Sequence, residues 1–86
     1  MDFVKKSEML KAIAHPVRLK IVKGLSKAEC NVNKMVKALA LPQSTVSQHL
    51  SILKNKGIII SRKEGIRTCY YVQNPIIKKI IDILDK

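Results

Sequence analysis

A run of small polar side chains between residues 43 and 51 has the chemistry of a nucleic-acid contact. The run contains no acidic residue. Val46, Leu50 and Leu53 recur at helical spacing and predict a buried stripe on the opposite side of a helix. Amides and hydroxyls bond to base edges and phosphates without repelling them. The candidate contacts are Gln43, Ser44, Thr45, Ser47, Gln48 and Ser51.

Within this helix, predicted for residues 43–56, Gln48 is the best candidate base reader because a glutamine amide can pair bidentately with adenine. Gln43 and Ser44 lie near the helix N-terminus, where phosphate is favoured. Lys54 and Lys56 would flank the DNA backbone. The alternative is an ordinary polar helix face on which Ser44 is only a cap.

A second cationic group follows the helix. Arg62, Lys63 and Arg67 bracket a predicted hairpin turn, and we call residues 62–67 the wing. If the wing lies along a duplex, these charges reach phosphate or the narrow minor groove. The alternative is a solvated turn.

Enzyme chemistry has no comparable support in the sequence. Ser47 and His49 are two residues apart and point to different sides of one helix, so they do not form a catalytic pair. We find no glycine-rich phosphate loop, metal-ligand cluster or spaced pair of carboxylates. His49, beside the apolar stripe, and His15, before Pro16, are interpreted as structural. We therefore predict that the chain is not an enzyme.

Length and charge agree with a nucleic-acid partner. The chain has 86 residues and a formal net charge of +11, which predicts one domain, 1–86, with a polyanionic partner: DNA, RNA or an anionic membrane surface. No segment has the length of a membrane span or of a signal-peptide core. We therefore expect a cytoplasmic protein that associates with double-stranded DNA and not with membrane.

The remaining pattern predicts a mainly α fold with a small β-hairpin. His15–Pro16 should separate the first two helices, because a residue before proline disfavours helix. Gly57 should end the fourth helix. The predicted elements are helices over Ser7–Ala14 (extended backwards by Phe3 and Val4), from Pro16 to Gly24–Ser26, from an Asn31 cap to Leu39, and from Pro42 or Gln43; strands 58–62 and 67–72 about a Lys63–Gly65 turn; and a last helix capped by Asn74. This order, α1-α2-α3-α4-β1-β2-α5, is that of a winged helix-turn-helix.

Three blocks resemble the ArsR/SmtB-type winged-helix transcriptional regulators of bacteria. Residues 10–22 are similar to the family's entry into its second helix. Residues 44–54 look like its recognition helix, and residues 57–71 look like its wing. The 41–50 block most resembles the PagR-like subgroup. The resemblance covers nearly the whole chain and implies a homodimeric repressor of a palindromic operator, with the first and last helices forming the dimer interface.

The resemblance does not extend to metal sensing. The family's thiolate positions correspond to Asn31 and Asn33, and Cys30 falls where leucine is usual. The family's other site needs histidines on the last helix, and no histidine follows His49. Asp82 and Asp85 alone make a weak oxygen pair. We therefore expect no metal and no cofactor.

The last helix carries more aliphatic residues than we expect its own domain to cover, which indicates an interface. With the first helix it supplies the predicted dimer surface. That surface comprises Phe3, Met9, Leu10, Ile13, Ile76, Ile77, Ile80, Ile81 and Leu84, with Val4 and Ile83 beside them.

Three further expectations concern single residues. Arg18 lies on the apolar side of its helix and needs a partner, for which Glu29 is the nearest candidate. Cys30 is expected in the core, and Cys69 in a strand and partly exposed. Two alternative functions stay open: a protein-interaction module on a winged-helix fold, and a thiol redox-responsive regulator acting through Cys30 or Cys69.

Overall fold

The computed structural model describes residues 1–27 and 32–85. Five helices and one antiparallel hairpin follow in the predicted order, which confirms the winged helix-turn-helix fold. The elements are α1 (Phe3–Ile13), α2 (Pro16–Lys27), α3 (Val32–Leu39), α4 (Gln43–Asn55), β1 (Ile59–Glu64), β2 (Arg67–Val72) and α5 (Pro75–Leu84). No helix in this part of the chain is long and apolar enough to cross a membrane.

The first helix has the predicted backward extension, and the second ends slightly later than predicted. α1 begins at Phe3 because the Asp2 carboxylate accepts a hydrogen bond from the Lys5 N–H at 3.1 Å and caps the helix. α2 continues past Gly24 to Lys27, one residue beyond the end predicted near Gly24–Ser26. A Cβ at Gly24 would lie 3.1 Å from Met35 Cε, so the glycine allows α3 to pack closely against α2.

The core lies around α2, which packs against α1, α3, α4, α5 and β2. The predicted stripe of α4 is buried, and Ile58 and Ile59 extend the core into the hairpin. Burial of this stripe fixes the rotation of α4 about its axis, and the polar face therefore points outward. α2 contributes Ile21, Val22 and Leu25 to this core.

The ends of α3 and α4 depend on left-handed residues. Ala40 takes φ = +54° after α3, and its N–H donates to the Val36 carbonyl. Gly57 takes φ = +74° after α4, as predicted for a helix stop. The Ile58 N–H donates to the Leu53 carbonyl at 3.0 Å, which completes a Schellman motif and turns the chain into β1.

The hairpin turn differs from the prediction. Glu64 pairs with Arg67, and Lys63 pairs with Thr68. Lys63 and Glu64 therefore belong to β1, and the turn consists of Gly65 and Ile66 alone. The sequence placed the turn too early because Lys63 and Glu64 are poor strand formers, whereas the ladder extends through them.

The last helix is less exposed than expected. Asn74 accepts from the Ile76 N–H at 3.0 Å and donates to Met9 Sδ at 3.2 Å, so it caps α5 and ties it to α1. The expectation that the chain cannot cover the apolar face of α5 is wrong for part of that face, because α5 packs against α2 and β2. Within the predicted dimer surface, the structure buries Met9, Ile13, Ile77 and Ile81 in the chain's own core.

Candidate nucleic-acid interface

The polar side of α4 is exposed as one continuous ridge. Ser44, Gln48 and Ser51 lie at helical spacing on this side and are all exposed. We call these three residues the α4 ridge. Thr45 is half-buried on the flank of the helix, and Lys54 is exposed in its last turn. The α4 ridge therefore presents one amide between two hydroxyls, a pattern of donors and acceptors suited to base edges and phosphates.

The start of α4 has no side-chain cap. Pro42 occupies the N-cap position and makes no side-chain hydrogen bond there. The Pro42 carbonyl accepts from the N–H groups of Thr45 and Val46 at 3.0 and 3.2 Å. The interpretation of Ser44 as an ordinary cap is therefore wrong. A helix N-terminus without a side-chain cap favours an incoming anion such as phosphate.

A polar cleft of about 410 Å³ separates the side of α4 next to the ridge from the wing. Gln43 and Ser47, one turn apart on α4, line one wall, and Arg67 and Thr68 of β2 line the other. The full lining is Asn33, Gln43, Ser47, Leu50, Ile66, Arg67, Thr68 and Tyr70. The cleft thus combines helix amides and hydroxyls with a wing guanidinium, which fits a sugar-phosphate strand passing between helix and wing.

The wing holds its cations in an ordered hairpin. Arg62, Lys63 and Arg67 are all exposed. The Arg62 guanidinium lies 5.5 Å from the centre of the Tyr71 ring, a cation–π distance. The Tyr71 hydroxyl donates to Glu64 at 2.8 Å. Glu64 faces Arg67 in the ladder.

The two lysines at the end of α4 have different surroundings. Lys56 Nζ lies 3.1 Å from Glu8 Oε2 of α1. This hydrogen bond and the charges of Lys56 and Lys11 lower the pKa of Glu8. The expectation that Lys56 flanks DNA is therefore weakened, because part of its charge is already matched. No ion pair to Lys54 occurs among the described residues, so Lys54 remains the phosphate candidate of this turn.

A cluster behind α4 sets its position. Arg18 Nε donates to the Ala12 carbonyl at the end of α1, and Arg18 Nη1 lies 3.5 Å from His49 Nδ1. The His15 and His49 rings are 4.9 Å apart. Burial lowers the pKa of His49, and the nearby charges of His15 and Arg18 lower it further. His15 and His49 thus have the structural role predicted for them.

The predictions for Arg18 and for the two cysteines have different outcomes. Arg18 is satisfied by the end of α1 and by His49, and its predicted partner Glu29 lies outside the described residues. The predicted helix cap Asn31 and the predicted core residue Cys30 also lie outside the described residues. Cys69 is fully buried in β2 and disulfide-bonded, so its predicted partial exposure is wrong.

Potential metal ligands do not cluster in the described part of the chain. Across residues 1–27 and 32–85, no group of three or more His, Cys, Asp or Glu side chains could hold a metal ion. Asp85 instead bonds Lys23 and Lys27 of α2 at 2.7 and 2.8 Å. These two hydrogen bonds lower the pKa of Asp85 to about 2. The prediction of no metal and no cofactor stays a prediction.

Sequence reasoning missed several residues of the cleft. Asn33, Thr68 and Tyr70 line it from α3 and β2. Ile66, at the tip of the hairpin, is fully exposed. A signal for Ile66 was present, because Gly followed by one residue between two strand-like runs is typical of a two-residue hairpin turn. The other three depend on how the hairpin packs against α2 and α4, which local patterns do not reveal.

Comparison with known proteins identifies the family. The sequence model described as "Bacterial regulatory protein, arsR family" matches residues 15–61, more than half of the chain. The transcriptional repressor PagR of Bacillus anthracis is 42% identical over 80 residues, which cover 92% of this chain and 80% of the relative. An HTH-type transcriptional regulator of Methanocaldococcus jannaschii is 40% identical over 85 residues, covering 98% and 96%.

Solved structures agree with the sequence relatives. HlyU from Vibrio cholerae N16961 matches with a TM-score of 0.88 and 34% identity, covering 98% of this chain and 94% of that chain. The crystal structure of PagR matches with a TM-score of 0.87 and 41% identity, covering 98% and 97%. The chain is therefore a DNA-binding transcription regulator with a winged helix-turn-helix and not an enzyme. It belongs to the ArsR family of bacterial regulatory proteins.

Proposed function

We propose that this chain is a homodimeric transcriptional repressor that binds a palindromic operator. The observation that carries the proposal is the exposed, acid-free α4 ridge beside a cationic wing. α4 enters the major groove, where Gln48 reads a base, and Arg62, Lys63 and Arg67 contact the backbone. PagR is named a repressor and HlyU an activator, and repression follows the relative of higher identity.

Within this proposal, residues 1–86 form one DNA-binding domain with terminal dimerisation helices, and the protein acts in the cytoplasm on the nucleoid. Its DNA-contacting set is the one predicted from the sequence. Gln43, Ser47 and Arg67 gain support from lining the cleft. Thr45 has less surface to offer because it is half-buried.

The dimer surface we propose is the part of the terminal helices that stays exposed. Phe3 is 77% exposed and Ile83 is 67% exposed. The Asn74–Met9 hydrogen bond brings the start of α5 against α1, so one surface can include both helices. We define the terminal patch as Phe3, Val4, Leu10, Ile76, Ile83 and Leu84, with half-buried Ile80 at its edge. Pairing two such patches would bury apolar surface across a two-fold axis.

The assembly is tested by changing exposed residues only. Ile83→Asp should give a monomer in analytical ultracentrifugation at micromolar protein, because a buried charge without a partner breaks an apolar contact. Ile66→Asp, on the wing, is the matched control and should remain a dimer. Folding should survive both changes, since neither side chain is in the core. A monomeric wild type, or a dimeric Ile83→Asp protein, contradicts the proposed interface.

The DNA-binding proposal is tested with duplexes selected from a random library by the full-length protein. The selected sites should contain two inverted half-sites about one helical turn, roughly 34 Å, apart. Mobility-shift competition should then favour the selected duplex over random DNA by about a thousandfold or more. Equal affinity for both duplexes would contradict sequence-specific binding and favour the protein-interaction module.

A second candidate function is control of DNA binding by thiol oxidation. The observation that favours it is the disulfide at Cys69, a bond that is unusual in the cytoplasm unless it responds to redox state. Cys69 follows Arg67 and Thr68, which line the cleft. Operator affinity measured before and after reduction by dithiothreitol should change for the wild type and not for Cys69→Ser. Equal wild-type affinity in both states excludes this control.

A further inference from the structure

The apex of the wing carries an apolar side chain that no part of the described chain covers. Ile66 is fully exposed, more so than any other large hydrophobic residue in the described part of the chain. The Glu64–Arg67 pairing leaves only Gly65 and Ile66 in the turn. Because this turn joins two paired strands, its side chain projects from the end of the hairpin.

The turn does not require isoleucine. Gly65 takes φ = +64°, and Ile66 does not take a positive φ, which is the pattern of a type II′ turn. Glycine satisfies the demanding first position. The second commonly holds a polar residue such as Asn, Asp or Ser. Hydration of a fully exposed isoleucine is unfavourable, so contact of this side chain with a partner outside the chain would be stabilising.

The surroundings of Ile66 favour DNA as such a partner. Arg67 follows this isoleucine directly, and Lys63 directly precedes Glu64 of the Glu64–Arg67 pair that closes the ladder. Ile66 also borders the cleft that Gln43 and Ser47 line from α4. An apolar apex flanked by cations is complementary to a DNA groove, which is flanked by two rows of phosphates. The minor groove, about 6 Å wide, accepts a single side chain of this size.

We propose that Ile66 enters the DNA minor groove next to each half-site and makes the protein prefer A·T pairs there. Guanine places an N2 amino group on the floor of the minor groove, where A·T pairs have none. An apolar side chain offers that amino group no acceptor and displaces its water. Apolar wedges from architectural proteins use the same groove. The inference rests on the proposed DNA binding and assigns Ile66 a role in its specificity.

The test uses operator duplexes that differ only in the base pairs under the wing, located by hydroxyl-radical footprinting. These pairs are A·T, G·C or I·C. Inosine lacks the 2-amino group, so I·C combines the minor-groove edge of A·T with the major-groove edge of G·C. For the wild type, affinity should fall about tenfold from A·T to G·C and recover with I·C. Ile66→Ser should bind all three equally, and Ile66→Val should keep the wild-type order.

Salt dependence separates this role from phosphate contact, because Ile66→Ser should leave the salt slope unchanged. The inference is overturned if I·C behaves like G·C, or if Ile66→Ser still discriminates. A wild type without any operator preference refutes the proposed function and this inference with it. A normal operator preference that Ile66→Ser leaves intact at the wing refutes the inference alone.

Discussion

Lys63 offers a quantitative test of the wing. It is exposed in β1 opposite Thr68, so its charge is free to meet phosphate. With Lys54, Arg62 and Arg67, it makes four exposed cations per protomer on the proposed DNA face, and thus about eight phosphate contacts per dimer. Such a dimer should show a slope of about −7 for log affinity against log salt.

The Lys63→Ala change removes two of these contacts per dimer, and the slope should fall in magnitude to about −5. Between about 50 and 200 mM salt, wild-type affinity should drop about 10⁴-fold and the variant's about 10³-fold. Fluorescence anisotropy with a labelled operator measures both. Lys20→Ala on α2 is the matched control, since Lys20 is exposed away from the wing cleft. An unchanged slope in Lys63→Ala, or an equal change in Lys20→Ala, refutes the assignment.

The remaining predictions concern stability. The pKa of His49 is lowered in the fold, so the stability that its neutral form contributes is present above its ordinary pKa of 6.5 and is lost as pH falls through the folded pKa. Thermal unfolding from about pH 7 to 5 should therefore show a fall in melting temperature that His49→Gln removes. An identical fall in the variant would disprove this cause. Ala40→Gly should raise the free energy of unfolding by about 0.5–1 kcal/mol, because it relieves φ = +54°. Gly57→Ala should lower it by about 1 kcal/mol, because it strains φ = +74° in open space. Urea unfolding decides the last two, and changes of the opposite sign would refute the backbone argument.

The parts of the fold that follow from local periodicity could be predicted. The stripe of Val46, Leu50 and Leu53 is buried and turns the polar side of α4 outward. Gly57 ends α4 because only a left-handed residue completes its Schellman motif. Such features need only the spacing of apolar residues or the conformational range of one residue, and both can be read from a sequence.

The parts that depend on tertiary contacts could not be predicted. The partner of Arg18 is the carbonyl of Ala12 together with His49, and a backbone acceptor has no sequence signal. The apolar face of α5 was predicted correctly, but its periodicity does not tell which residues α2 and β2 cover. Ile77 and Ile81 are therefore buried, while Ile83 stays exposed. The turn at Ile66 is set by ladder register, which the charged residues before it obscured.

The central claim is that α4 reads DNA through Gln48, and one double-mutant cycle tests it. Bidentate pairing with adenine uses its N7 and N6 atoms, and 7-deazaadenine lacks the N7 acceptor. Substituting the contacted adenine in each half-site should weaken wild-type binding by about tenfold. Gln48→Ala should bind both duplexes equally and relax specificity at that position only. An additional loss of similar size in Gln48→Ala, or no loss in the wild type at any adenine of the half-site, would contradict the reading of DNA by this side chain.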